Sequence, residues 1–99
     1  MKCAYSPLAL EDLKRVQKEV FEASKSVSVT ERYISGLMET VESKAEFPSS
    51  GTPLYWKDSF TGYHYVIYKA YIAFYRAAED GIRVERVLYG KSDYLRDLL

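Results

Sequence analysis

The sequence predicts an α+β fold, in which a helical hairpin precedes a small antiparallel sheet. Between residues 7 and 47 the apolar side chains recur at helical spacing. From residue 63 onward the chain is rich in tyrosine, valine, isoleucine and phenylalanine, the residue types that favour strands. The 99 residues suffice for one hydrophobic core, so we expect a single domain spanning residues 1–99.

The chain opens with KCAYS (Lys2 to Ser6), which we interpret as a short strand that leads into the first helix. Ser6 is suited to cap that helix and Pro7 to occupy its first turn. Glu11 and Asp12 follow, and we expect them to interact favourably with the helix dipole. The apolar stripe continues to about residue 24 and consists of Leu10, Leu13, Val16 and Val20.

A second helix is predicted to begin at Ser28, because Ser28 and Glu31 have the spacing of a capping box. The helix should end near Phe47, since Pro48 disfavours helical geometry in the residue before it. Only a few residues join the two helices, which we therefore expect to form an antiparallel hairpin. The apolar stripe of the second helix consists of Tyr33, Ile34, Leu37, Met38 and Val41.

A loop is predicted between the helices and the sheet. The stretch PSSGTP (48–53) has the proline, glycine and serine content of a surface loop. We expect the chain to stay irregular as far as Gly62, with Trp56 as the one large apolar anchor of this segment.

Three strands follow in the prediction, at about 63–68, 71–78 and 82–89. Lys69-Ala70 and Glu79-Asp80-Gly81 are the predicted turns between them. The simplest arrangement is a meander with both helices on one face, followed by a short helix that begins at Ser92. Alternation in the second strand places Tyr71, Ala73 and Tyr75 on one face and Ile72, Phe74 and Arg76 on the other.

Charge and composition narrow the function classes. The chain carries 14 basic and 14 acidic side chains, which argues against a general nucleic-acid binder. No apolar run approaches the roughly 20 residues that span a bilayer, so we expect no membrane association. Cys3 is the single cysteine, and no Cys/His cluster offers a metal site. We therefore expect a cytoplasmic protein without metal or cofactor.

Four stretches of the chain, taken in order, carry a family resemblance. They are SPLALEDLK from Ser6, FPSSG from Phe47, YIAFYR from Tyr71 and RVLYGKSDY from Arg86. Together they resemble the RelE/ParE family of bacterial toxin–antitoxin toxins over nearly the whole chain. The resemblance implies a short N-terminal strand, an antiparallel helical hairpin, a three-stranded antiparallel meander and a short C-terminal helix.

The resemblance also implies one of two activities. RelE-like toxins enter the ribosomal A site and cleave messenger RNA with basic residues on the concave sheet face, whereas ParE-like toxins inhibit DNA gyrase. Ile72 and Ser92 stand where the RelE-like nucleases carry arginine. Such cations stabilise the charge that develops on phosphorus, and losing one typically slows a reaction about 100- to 1000-fold. The comparison therefore favours a ParE-like toxin that binds a protein target such as DNA gyrase.

The enzyme alternative is a RelE-like, ribosome-dependent mRNA endonuclease with a reduced catalytic set. In that case His64, Lys91 and Tyr94 supply the base, the cation and the acid that cleavage requires. For His64 the competing interpretation is a hydrogen-bonded structural or surface role. A third hypothesis is a non-toxic member that survives as a binding or transcription-regulating partner.

The resemblance implies a cognate antitoxin as partner, in a hetero-oligomer. For the arginines of the sheet, ion pairing with Glu79 or Glu85 is the competing interpretation. For the tyrosines, cross-strand packing competes with the stacking of bases. The residues expected to contact the antitoxin or the target are Arg76, Arg83, Arg86, Tyr89, Leu98 and Leu99.

Overall fold

The computed structural model describes residues 2–99. Within this range the chain forms one five-stranded sheet and three α-helices. The strand order across the sheet is β1-β5-β4-β3-β2, with β1 parallel to β5 and the other neighbours antiparallel. In chain order the elements are β1 (Lys2–Tyr5), α1 (Pro7–Ser24), α2 (Val27–Glu42), a 3-10 turn (Pro48–Ser50), β2 (Thr52–Trp56), β3 (Ser59–Tyr68), β4 (Tyr71–Ala78), β5 (Gly81–Tyr89) and α3 (Tyr94–Leu98).

This architecture confirms the predicted α+β class. The N-terminal strand, the helical hairpin, the antiparallel meander β3-β4-β5 and the C-terminal helix are all present. The sheet is larger than the predicted meander, because β1 pairs with the outer edge of β5 and β2 pairs with the outer edge of β3.

The start of α1 follows the prediction. The Ser6 side-chain oxygen accepts a hydrogen bond from the Ala9 amide at 2.9 Å, and Pro7 is the first helical residue. The helix ends at Ser24, where Lys25 adopts a left-handed conformation with φ of 56°. The expected dipole interaction of Glu11 and Asp12 is wrong, because neither residue lies in the first turn.

The boundaries of α2 differ from the prediction at both ends. Its cap is Ser26 rather than Ser28, and the Ser26 hydroxyl accepts a hydrogen bond from the Val29 amide at 3.2 Å. The helix stops at Glu42, well before Phe47. Ala45 lies in the turns that follow and is buried, so packing of these turns against the core ends the helix before Pro48 is reached.

The segment expected to be irregular up to Gly62 instead forms a β-hairpin. β2 and the first half of β3 pair antiparallel around a two-residue turn, Lys57-Asp58, whose φ angles are 50° and 67°. Positive φ at both central residues is the geometry of the tight hairpin turn that asparagine and glycine usually occupy. Trp56 is not an anchor, since 48% of its surface is exposed.

The C-terminal helix begins at Tyr94 rather than at Ser92. Ser92 closes the turn after β5 instead, because its hydroxyl donates a hydrogen bond to the Tyr89 carbonyl at 2.6 Å. Its backbone amide donates to the same carbonyl at 3.0 Å. The two hydrogen bonds hold the chain in a turn until residue 93.

The main hydrophobic core lies between the helical hairpin and one face of the sheet. The alternation predicted for β4 is confirmed, because Tyr71, Ala73 and Tyr75 all belong to this core. Tyr75 is fully buried, and its hydroxyl donates to the Pro48 carbonyl and accepts from the Gly51 amide. These two hydrogen bonds attach the 3-10 turn to the sheet. The helices contribute Ala9, Leu13, Val16, Leu37 and Val41.

Side chains of α1 and of its cap, Ser6, form hydrogen bonds with the backbone of β5 where β1 does not reach. β1 pairs with β5 only from residue 81 to residue 84. Beyond that point the Ser6 hydroxyl donates to the Glu85 carbonyl at 2.8 Å, and Arg15 donates to the Val87 carbonyl at 2.9 Å. The Val87 amide donates to the Asp12 carboxylate at 2.9 Å. Side chains of α1 therefore replace a neighbouring strand, which protects an edge that is otherwise open to unwanted pairing.

Candidate partner-binding face

The sheet face opposite the hairpin of α1 and α2 is the candidate site, and we call it the open face. Its centre is a small apolar cluster of Ile72, Phe74 and Leu88, all buried. Helix α3 packs on this cluster through Tyr94 and Leu98. The ring centroids of Tyr94 and Phe74 are 5.4 Å apart. The centre of the open face is therefore apolar and covered by the C-terminal helix.

Arg86 lies at the rim of the open face and is held by a buried carboxylate. Its Nε is 2.8 Å from Asp12 Oδ2, and its Nη2 is 3.1 Å from Asp12 Oδ1. Arg15 donates a further hydrogen bond to Asp12 at 2.9 Å. The guanidinium and the carboxylate are both planar, and they are joined by two hydrogen bonds. This bidentate pairing fixes the Arg86 guanidinium in one orientation.

The charge state of Asp12 follows from this arrangement. Burial alone would raise the pKa of the Asp12 carboxyl, but the hydrogen bonds from Arg86, from the Val87 amide and from Arg15 outweigh burial and lower the pKa below its usual value. Asp12 is therefore ionised at neutral pH. Arg86 therefore forms an ion pair within the molecule, and its charge is not free to contact phosphate.

Arg76 and Arg83 lie directly opposite each other on β4 and β5. Arg83 forms an ion pair with Glu85 at 2.7 Å, partly exposed. The Arg76 guanidinium stacks 3.8 Å from the centroid of the Tyr63 ring, and within residues 2–99 it has no carboxylate partner. Like charges directly opposite each other are unfavourable in a sheet. Arg76 is thus the arginine of the open face that retains an unpaired charge among the described residues.

A cavity of about 320 Å³ opens between the start of α1, β5 and the end of α3. It combines apolar walls with both signs of charge, which suits a peptide segment better than a phosphate backbone. Its lining residues are Ser6, Pro7, Leu8, Tyr63, Arg83, Glu85, Arg86, Asp97 and Leu98.

The three residues predicted for a nuclease do not come together. His64 pairs in register with Tyr75, and the two rings stack with centroids 5.7 Å apart on the helix-covered side of the sheet. Its Nδ1 is buried and has no hydrogen-bond partner among the described residues. Tyr94 packs on the open face, and Lys91 is exposed in the turn after β5. The catalytic assignment of His64, Lys91 and Tyr94 stays a prediction, without a shared site to support it.

The six residues predicted to contact partners do not share one surface. Arg76, Arg83, Arg86 and Leu98 lie on the open face or at its rim. Tyr89 pairs in register with Tyr71 on the helix-covered side, with ring centroids 5.9 Å apart. Leu99, at the end of the chain, is 56% exposed. Their binding roles remain predictions.

The ion-pair role of Asp12 is what the sequence analysis missed. A signal for its role is present in the sequence, because Asp12 lies three residues after Ala9 and four before Val16, on the apolar side of α1. A carboxylate on a buried helix face requires a cationic partner from elsewhere in the chain. The identity of that partner, Arg86, depends on the tertiary fold.

No group of three His, Cys, Asp or Glu side chains within residues 2–99 is close enough to hold a metal ion. None of the helices described here combines the length and hydropathy that a bilayer crossing requires.

The fold, a helical hairpin packed on an antiparallel sheet, is ParE-like. The family model of the ParE toxin of type II toxin–antitoxin system, parDE, matches residues 4–94. The chain therefore belongs to the ParE toxin family, and the predicted resemblance is confirmed.

A solved structure described as the chromosomal ParDE TA system from P. aeruginosa has a similar fold. The TM-score is 0.72 at 13% sequence identity, over 90% of this chain and 95% of the other. At this identity the similarity concerns the fold alone. A comparison with curated protein sequences gives no match.

Proposed function

We propose that this chain is a growth-inhibiting toxin that acts by binding a protein target, such as DNA gyrase, in the bacterial cytoplasm. Membership of the ParE family supports the toxin role. A cognate antitoxin neutralises the toxin by covering part of its surface, through a disordered segment that folds on binding.

The observation that carries the choice of a protein target is the state of the open face. Its centre is closed by Tyr94 and Leu98, and its rim arginines Arg83 and Arg86 already pair with carboxylates of the same chain. Cleavage of RNA requires free cations around the reacting phosphate together with a base and an acid. A surface with one unpaired arginine suits a polypeptide partner better.

The direct test is inhibition of DNA supercoiling by purified gyrase in the presence of the isolated toxin. We expect inhibition at micromolar toxin, and equal inhibition by Lys91→Ala, because Lys91 is exposed in the turn after β5. Full supercoiling activity at micromolar toxin would contradict gyrase as the target.

The endonuclease alternative has a separate readout. Primer extension on messages from cells that express the toxin should give no codon-positioned cuts. Such cuts in wild-type cells, lost in the His64→Ala, Lys91→Ala double variant, would establish the RelE-like activity instead.

The antitoxin contact is tested at Arg76, whose guanidinium has no carboxylate partner among the described residues. An acidic antitoxin side chain placed there gains a charged hydrogen bond and relieves the repulsion between Arg76 and Arg83. We expect Arg76→Ala to weaken antitoxin binding about tenfold, measured by calorimetry. Arg32→Ala, at an exposed position on α2, is the matched control and should bind as wild type does.

A further inference from the structure

We propose that the tip of the β2–β3 hairpin is the part of the toxin that enters an apolar pocket on its folded protein target. The aromatic tip consists of Tyr55, Trp56 and Phe60. This inference rests on the proposed function, because it assigns a contact surface to the protein target. It concerns residues that neither the predicted site nor the open face includes.

The aromatic tip exposes three large rings at one end of the molecule. Tyr55 is 59% exposed, Trp56 48% and Phe60 50%. Tyr55 and Phe60 share one face of the hairpin, and Trp56 lies on the other face. Exposed aromatic side chains at one end of a small folded protein usually mark an interface. Tyrosine and tryptophan are also the residue types that most often dominate binding energy at protein interfaces.

The tip is held rigidly before any partner arrives. Trp56 pairs with Ser59 across the two-residue turn, and the ring centroids of Tyr55 and Phe60 are 5.9 Å apart. The Lys57 amine lies 5.7 Å from the Trp56 ring centroid. At its base, Phe60 contacts the His64 ring with centroids 5.3 Å apart. Little conformational entropy remains to be lost on binding, which favours affinity.

A bulge separates the tip from the body of the sheet. The pairing passes from Pro53 opposite His64 to Tyr55 opposite Phe60, so Leu54 faces three residues of β3. Among these three, Gly62 has φ of +91°. The Thr61 hydroxyl fixes the bulge by donating to the Leu54 carbonyl at 2.8 Å. Bulges bend a hairpin and re-aim its side chains.

Beyond the bulge the hairpin extends past its neighbour. β4 pairs with β3 only from His64 to Tyr68. Ser59 and Phe60 therefore pair with β2 alone, at the end of a two-stranded arm, and residues 61–63 form the bulge. Because β4 forms no ladder with Ser59 and Phe60, the aromatic end of the hairpin is a convex projection from the sheet.

The shape and charge of the tip favour a folded protein as its partner. An antitoxin segment that folds on binding needs a groove or a strand edge along which to lie. A convex aromatic projection instead fits a preformed apolar pocket. Lys57 and Asp58 at the turn cancel in charge, whereas nucleic acid and anionic lipid both require several cations close together.

The test compares Trp56→Ala with wild-type toxin in the gyrase supercoiling assay. We expect the toxin concentration for half-inhibition to rise about 30-fold, the equivalent of losing a hot-spot contact of about 2 kcal/mol. Trp56→Phe should retain most of the inhibition, because it keeps an aromatic ring. Tyr55→Ala, as a second variant, should also weaken inhibition.

The matched control is Phe47→Ala, which removes an aromatic ring that is 67% exposed but lies outside the tip. It should inhibit gyrase as wild type does. Antitoxin affinity and thermal unfolding should be unchanged in Trp56→Ala. Loss of antitoxin affinity with normal unfolding would place the antitoxin on the tip and overturn the proposal, as would undiminished inhibition by Trp56→Ala.

Growth arrest separates failure of this inference from failure of the proposed target. If wild-type toxin leaves gyrase active, gyrase is the wrong target. The role of the tip is then tested by the growth arrest of cells that express the toxin. Trp56→Ala at equal expression should then relieve the arrest, while Phe47→Ala should not. Arrest by Trp56→Ala equal to that of wild type would overturn the role of the tip.

Discussion

At the scale of single residues, the Asp12 carboxylate joins α1 to the last strand of the sheet. It accepts hydrogen bonds from Arg86, Arg15 and the Val87 amide while almost fully buried. Removing one member of a buried ion pair leaves the other charge uncompensated, which is far more costly than the net contribution of the intact pair. Asp12 should therefore be among the positions most sensitive to substitution.

We expect Asp12→Asn to lower the free energy of unfolding by about 3 kcal/mol near neutral pH, because Arg86 keeps its charge but loses its ionised partner. Urea unfolding followed by circular dichroism measures the change. Glu11→Gln, at the exposed neighbouring position, is the matched control and should change stability little.

The Asp12 contribution should also depend on pH. The pKa of Asp12 is lowered in the folded state, so its stabilisation is complete above the unfolded value of about 3.9 and is lost as the pH falls through the folded pKa. The stability difference between wild type and Asp12→Asn should therefore shrink in acid, below about pH 4. A difference that stays constant down to pH 2 (roughly the lower end of such titrations) would show that the pair does not titrate as described.

Local sequence predicts some of these residue contacts and not others. Ser6 could be identified as a cap from its neighbour Pro7 alone, because capping is local. His64 could not be assigned to a face with respect to Tyr94, since that requires the pairing of β3 with β4 and the docking of α3. The partner of Asp12 is 74 residues away in the chain, a separation that local pattern does not reveal.

At the scale of elements, α2 and β3 approach closely at Gly36. The hydroxyl end of Tyr68 occupies the space that a side chain at Gly36 would need. The Tyr68 ring is itself held edge-on against Tyr33, with centroids 5.3 Å apart. Because the ring is packed in this position, a larger residue on α2 must displace it.

We expect Gly36→Ala to destabilise the protein by about 1 kcal/mol, since overpacking of roughly 2 kcal/mol exceeds the gain in helix propensity of about 1 kcal/mol. In a Tyr68→Ala background the same substitution should stabilise instead, because the obstacle is gone. Thermal unfolding of the wild type, the two single variants and the double variant gives the coupling free energy between the two positions. Ser35→Ala, exposed on the same helix, is the control, and destabilisation by Gly36→Ala in both backgrounds would contradict the clash.

Among the elements, the hairpin of β2 and β3 was the least accessible to sequence reasoning. Its turn is Lys57-Asp58, without the asparagine or glycine that usually marks a two-residue hairpin turn. Its aromatic residues are exposed, so no alternation of buried and exposed positions marks β2. By contrast, the stripes of α1 and α2 and the alternation in β4 follow from burial of one face, and they were predictable.

At the scale of the whole molecule, the sheet has a core on each face. The larger core lies under α1 and α2, and the smaller core of Ile72, Phe74 and Leu88 lies under α3. Helix α3 has only five residues, too few for independent stability. Its position therefore depends on the side chains that it places on the open face.

We expect Leu98→Asp to release α3 from the open face and to lower the free energy of unfolding by about 2 kcal/mol, the value of burying a leucine side chain. Binding of the dye ANS should increase as Ile72, Phe74 and Leu88 become accessible. Leu99→Asp, at the exposed neighbouring position, is the control for the added charge. Unchanged dye binding by Leu98→Asp would show that α3 does not depend on this contact.

The topology of the sheet also determines when the molecule can take its shape during synthesis. β5 is made after the four other strands of the described sheet, yet it lies between β1 and β4 and provides the edge that Ser6, Asp12 and Arg15 satisfy. A nascent chain that has not yet reached Gly81 lacks the strand with which β1 pairs. The rim arginines Arg83 and Arg86 belong to the same strand, so the finished surface exists only after β5 has been made.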